Sequence, residues 1–155
     1  MDANTAWESH SLEVARKRRA ELRGSMLILE RALAAPVPGR AAEWVDAVGE
    51  SLRQLQADFQ EHIIVTEGTD GLYQDILGNA PRLAYAVQRL LNEHEEVSGA
   101  LDSLVREATY MAEDPERVGR LREQANKLLG QLVRHRQRGA DLVFEAYQTD
   151  IGGET

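Results

Sequence analysis

Four stretches of this chain place apolar residues at intervals of three and four, and they sustain that spacing far longer than a strand or a loop would. The first runs through Ala15, Leu22, Met26, Leu29 and Leu33, the second through Val48, Leu52, Leu55, Phe59, His62 and Thr66. The third is Leu83, Val87, Leu90, His94, Val97, Leu101, Leu104, Val105 and Ala108, and the fourth is Val118, Leu121, Ala125, Leu128, Leu132, His135, Gly139, Leu142 and Ala146. At about 100° per residue each set falls on one face of a helix. An apolar helix face must be covered, and the partners this chain supplies are the other three faces. The expected fold is all-α, an up-down-up-down four-helix bundle with short connections.

The breaks between the stretches agree. Pro36-Val37-Pro38-Gly39 stops a first helix expected to begin near Ser9 to Ser11, either serine serving as cap, and to run to about Ala34. The second helix opens near Ala41. Gly68, Asp70 and Gly71 interrupt it before Leu72, Tyr73, Ile76 and Leu77 resume the pattern. Asn79-Ala80-Pro81 and the loop at Ala112-Glu113-Asp114-Pro115 supply the remaining turns, and Gly152-Gly153 marks a frayed end. With no internal repeat or dividing linker, residues 1–155 form a single domain.

Composition narrows the function classes. The chain carries 18 Lys and Arg against 26 Asp and Glu, a net charge of −8, which disfavours nucleic-acid backbones and anionic membranes as partners. The run Arg16-Lys17-Arg18-Arg19 reads as a solvated face with one partly buried arginine, Arg19, on the margin of the first stripe. No stretch has the length of a membrane span and no signal peptide is evident, so a cytoplasmic location is expected. The absence of cysteine leaves only nitrogen and oxygen donors for any metal.

Three of the four stripes give one apolar position to a histidine: His62, His94 and His135. In an antiparallel bundle these positions fall at comparable heights. The chemistry open to them is a mononuclear metal site with Glu67 or water completing it, and zinc and iron both accept such donors. The alternative is a set of hydrogen-bonded core histidines. Glu67 reaches inward only if the helix is distorted near Gly68, and Asp70 faces the stripe but lies two turns beyond His62. Glu93, Glu95 and Glu96 point mostly away from the stripe and read as surface charge, and His10 as a helix-start or surface residue. There is no nucleophile triad, phosphate loop or inward carboxylate pair, so an enzyme is not expected.

Phe59-x-x-His62, the following Glu67-Gly68 and Gly71-Leu72-Tyr73, Leu90-Leu91-x-Glu93-His94-x-x-Val97 and Leu132-x-x-His135 together resemble the hemerythrin-like (HHE cation-binding) four-helix bundles over almost the whole chain. The resemblance implies a non-haem iron centre held by His62, His94 and His135. In that family, histidines from all four helices and two bridging carboxylates hold a di-iron centre. Here Arg19-x-x-Leu22-Arg23 stands where the first-helix histidine belongs, and Thr66 and Gly139 stand where the bridging carboxylates belong.

Two functions follow. One is a hemerythrin-like protein with an incomplete di-iron ligand set, binding non-haem iron or another divalent metal weakly or as a single ion for sensing or storage. The other is a bundle with no cofactor, in which an arginine-centred polar network fills the former metal cavity and an exposed face or the terminal tail serves a protein partner. The sequence leaves the oligomeric state open.

Overall fold

The computed structural model describes residues 3–110 and 115–149, and among these it is helical apart from short turns, with no strand. Four long helices carry the stripes: α1 (Ala3–Ala34), α2 (Ala41–Glu67), α4 (Ala84–Tyr110) and α5 (Pro115–Val143). A short α3 (Leu72–Asn79) and a single 3₁₀ turn (Pro81–Leu83) join α2 to α4, and a π-helical turn (Phe144–Thr149) follows α5. Helix α1 packs on α2, α2 on α4, α4 on α5, and α5 back on α1. None of the described helices is long and apolar enough to cross a membrane. The expected loop at Ala112 to Asp114 and the Gly152-Gly153 end lie outside the described residues.

The stripes are the core. Leu22, Leu29, Val48, Leu52, Leu55, Leu121, Ala125 and Leu132 are completely buried, and only Val105 and Gly139 among the expected stripe positions are partly open. The apolar interior falls into two clusters. The larger joins Leu22 to Leu33, Trp44 to Phe59, Val97 to Ala108 and Val118 to Leu132. The smaller joins Ala15, Leu72, Tyr73, Ile76, Leu83 to Leu90, Leu142 and Ala146. Each buried Leu, Val or Phe in these clusters contributes about 1.5–3 kcal/mol relative to exposure.

Two expectations need correction. Helix α1 begins at Ala3, upstream of the serines, so neither Ser9 nor Ser11 caps it. Ser11 is buried within the helix and donates its hydroxyl to the Asp75 carboxylate on α3. A tertiary acceptor outcompetes the local backbone bond that would have made it a cap. Asp70 does not face the interior. It is exposed, with φ 64°, in the tight turn between α2 and α3.

That turn fixes where α3 starts. The Gly68 N–H bonds the Ile64 carbonyl at 3.0 Å and the Gly71 N–H bonds the Gly68 carbonyl at 2.8 Å, folding the backbone onto the end of α2. A Cβ at Gly71 would lie 2.7 Å from the Gly68 carbonyl oxygen and 3.0 Å from those of Thr66 and Val65, none of which can yield cheaply. Gly99, in the exposed interior of α4, has open space around it. Gly71→Ala is therefore expected to lower unfolding free energy by about 1–3 kcal/mol. Gly99→Ala is expected to raise it by about 0.5–1 kcal/mol, through helix propensity alone. Urea denaturation of the two variants measures both.

Candidate metal centre

The boundary between the two apolar clusters is a layer of imidazoles. Along α4, His94 separates Leu90 of the smaller cluster from Val97 of the larger, and along α5 His135 stands between Leu132 of the larger and Leu142 of the smaller. His62 follows Phe59 by one turn of α2. The Phe59 ring lies 5.6, 5.5 and 6.0 Å from the rings of His62, His94 and His135, stacked on the first and edge-on to the others. All three histidines are buried, at 5 % exposure or less.

Their inner nitrogens meet. His62 Nε2 lies 3.3 Å from His135 Nε2, and His94 Nε2 lies 3.1 Å from His135 Nε2. One ligand atom from each of the three histidines falls within 4.8 Å of the other two, and among the described residues no carboxylate joins that group. The outer nitrogens face acids. His94 Nδ1 is 2.5 Å from Glu67 Oε2, and His135 Nδ1 is 2.8 Å from Glu93 Oε1. Glu93 in turn accepts from Arg138 Nε at 2.6 Å. The Tyr73 hydroxyl stands 3.4 Å from His94 Nε2, its ring stacked on that imidazole.

Tautomers follow from this pattern. A carboxylate only accepts, so His94 and His135 each spend their single proton on Nδ1 and turn a bare lone pair inward at Nε2. Two bare lone pairs 3.1 Å apart repel unless a cation or a proton lies between them. Imidazole with its outer N–H held by a carboxylate is the arrangement that orients metal-binding histidines and raises their basicity. The two separations from His135 fit as well: bonds of about 2.0–2.1 Å set nitrogens about 3.3 Å apart in a tetrahedron, and slightly longer bonds give about 3.1 Å on an octahedral face.

The surroundings fix the protonation states. Burial lowers the His94 pKa to about 3, with the neighbouring His135 adding to the shift and Glu93 opposing it. His62 is lowered well below its usual range by burial, by the other two imidazoles and by Arg19 and Arg136. His135 is lowered by burial, although its bond to Glu93 pulls the other way. Burial alone would raise Glu93, but hydrogen bonds from His135 and Arg138 hold its carboxyl below the usual value. Burial raises Glu67 and the Tyr73 phenol.

The structure thus gathers His62, His94 and His135 as the sequence suggested, and brings Glu67 to the outer nitrogen of His94 rather than among the Nε2 atoms. Thr66 turns its hydroxyl back to the His62 carbonyl at 2.8 Å. Arg19 is half-buried and donates to the Arg136 carbonyl at 3.4 Å, not to Glu67. His10 is exposed. Glu93 corrects the surface-charge reading: its side chain is only 12 % exposed and it supports His135, whereas Glu95 and Glu96 are exposed as expected. Glu93 escaped the stripe analysis because a residue adjacent to an inward position points along the seam with the next helix, where His135 and Arg138 meet it. The pairing of an acid beside one histidine with an Arg three residues after another was the available signal. Comparison with protein-family models, with curated proteins and with solved structures finds no match for this chain.

The neutral buried histidines make the metal-free protein acid-sensitive. An unfolded histidine binds its proton near pH 6.5, whereas buried His94 resists until about 3, so the unfolded state holds more protons between those values. Stability is then complete above pH 6.5 and falls as pH drops below it, by up to about 1.4 kcal/mol per pH unit for each such histidine. Chemical denaturation of chelator-treated protein from pH 7.5 down to 4.5 is expected to show that decline. Replacing His94 by Leu is expected to flatten it.

Proposed function

We propose that this chain is a hemerythrin-like, up-down-up-down four-helix bundle that binds a single divalent transition metal through His62, His94 and His135, for sensing or storage rather than catalysis. The observation carrying this reading is the pair of Nε2 lone pairs of His94 and His135 that face each other at 3.1 Å while both outer nitrogens are committed to carboxylates. Alternating helix direction is supported by the order of the cross-links. Arg18 and Ser25 of α1 meet Glu61 and Asp58 of α2, and Gln56 and Glu67 of α2 meet Asp102 and His94 of α4.

The donor set suits one ion and not a bridged pair. The two positions that would supply bridging carboxylates hold Thr66, bonded to its own helix, and Gly139, which has no side chain. Where a histidine of the first helix would complete a second ion, Arg19 brings a guanidinium whose charge already acts on His62 and His135. A divalent ion held by three neutral imidazoles supplies Lewis acidity at positions left open to an exchangeable ligand. Iron is the first candidate from the resemblance; zinc satisfies the same geometry.

The reading that competes with this one is a metal-free bundle serving a protein partner, and metal content separates the two. Protein dialysed anaerobically against excess Fe(II) or Zn(II), then freed of loose metal, is expected to hold one ion per chain by elemental analysis. His94→Leu is expected to abolish that binding while keeping or raising metal-free stability, because it exchanges a buried polar ring for an apolar side chain. Glu93→Gln, which weakens the support of His135, is expected to cut affinity about 10- to 100-fold. Two ions per chain would overturn the mononuclear reading. No bound ion would favour the metal-free module.

A further inference from the structure

Three imidazoles leave a metal short of the four donors that most buried sites provide. A phenol stands beside the gap. Tyr73 is the second residue of α3, in the smaller apolar cluster, and it is 6 % exposed. Its ring lies 5.8 Å from that of His94 at an interplanar angle of 20°, and its hydroxyl is 3.4 Å from His94 Nε2. The distance is long for a hydrogen bond between these atoms but close to the separation of two ligands on one ion.

Its position is imposed from two directions. The Gly68 to Gly71 turn, which tolerates no Cβ at Gly71, fixes the first turn of α3 relative to the end of α2. The Ser11 hydroxyl holds Asp75, two residues after Tyr73 in the same turn, against α1. The buried hydroxyl is shared between the Thr66 side chain and His94 Nε2, which holds it at the edge of the imidazole layer.

We propose that Tyr73 is the fourth protein donor of the metal centre, binding through its phenolate oxygen beside His62, His94 and His135. This deepens the single-ion reading above and rests on it. On coordination the phenol O–H bond is exchanged for an oxygen–metal bond and the proton passes to the buffer; no electron moves. An anionic oxygen among three neutral nitrogens favours the higher charge of ferric over ferrous iron. The site then takes iron preferentially in its oxidised state, and Tyr73, not Glu67, is the side chain that sets that preference.

The test uses colour, independently of any activity. Fe(II) is loaded anaerobically and oxidised with ferricyanide, which takes one electron per iron and becomes ferrocyanide; small molecules are then removed. Wild-type protein with one ferric ion per chain is expected to show a visible phenolate-to-iron charge-transfer band. Resonance Raman excitation within that band is expected to enhance tyrosinate ring modes. Tyr73→Phe, which keeps the ring stacked on His94, is expected to retain the helical circular dichroism and to lose the band and at least tenfold in ferric affinity. If Tyr73→Phe fails to fold, the wild-type Raman spectrum still decides. One ferric ion per chain without the band or the ring modes would overturn the assignment of Tyr73 and leave the three-histidine site standing. The same band in Tyr73→Phe would overturn it equally. A wild-type protein that takes up no iron or zinc would overturn the metal reading and this assignment with it.

Discussion

The contact on which the rest of this fold depends is the meeting of three imidazoles between two apolar clusters. A bundle of this size could run one continuous core from end to end; this one is interrupted at a single level by His62, His94 and His135, each as deeply buried as the aliphatic core around it. Polar rings at that depth are costly unless satisfied, and the outer nitrogens of two of them are satisfied by Glu67 and Glu93. His62 Nδ1 is not: it is buried and has no hydrogen-bond partner. The layer therefore carries unresolved electrostatic demand at that nitrogen, besides the facing Nε2 atoms of His94 and His135 on its inner side. That demand, not any propensity of the helices, makes the level a candidate site.

The supports are distributed so that each long helix contributes through a different physical device. Helix α2 brings His62 and Phe59, whose ring spaces the three imidazoles. Helix α4 brings His94 together with Glu93, which turns sideways to meet α5. Helix α5 brings His135 and, one turn later, Arg138, which holds Glu93 in its charged form. Helix α1 brings the cation Arg19 and anchors α3 through the bond from Ser11 to Asp75. The turn at Gly68 to Gly71 then redirects the chain so that Glu67 and Tyr73, close in sequence, approach His94 from its two nitrogens.

Much of this was legible in the sequence because it depends on periodicity. The stripes, the helix break at Gly68 and the inward direction of all three histidines follow from spacing alone, and the buried positions agree with them almost residue for residue. What spacing could not reveal lies at the seams. Glu93 sits beside an inward residue, and only the packing of α4 against α5 decides that it meets His135 rather than water. Glu67 needed the end of α2 to present its side chain toward α4. Ser11 and Asp70 failed for the opposite reason, since a cap and an inward carboxylate are local readings, and a tertiary bond in one case and a left-handed turn in the other override them.

Charge argues further for one ion over two. The acids that approach the layer, Glu67 and Glu93, both stand behind His94 and His135, whereas Arg19 and Arg136 bear on His62. A cation entering the layer is drawn toward Glu67 and Glu93 behind His94 and His135 and repelled by Arg19 and Arg136 beside His62. Arg19 is itself held there at a cost, since burial and Arg16 both lower its pKa, with Tyr73 the group opposing them. A guanidinium cannot withdraw by losing its proton, so that repulsion is permanent. In the single-ion reading, the half of the bundle that would have held a second metal is occupied by fixed positive charge, and the half that remains is the one where acids and the Tyr73 phenol already face a histidine.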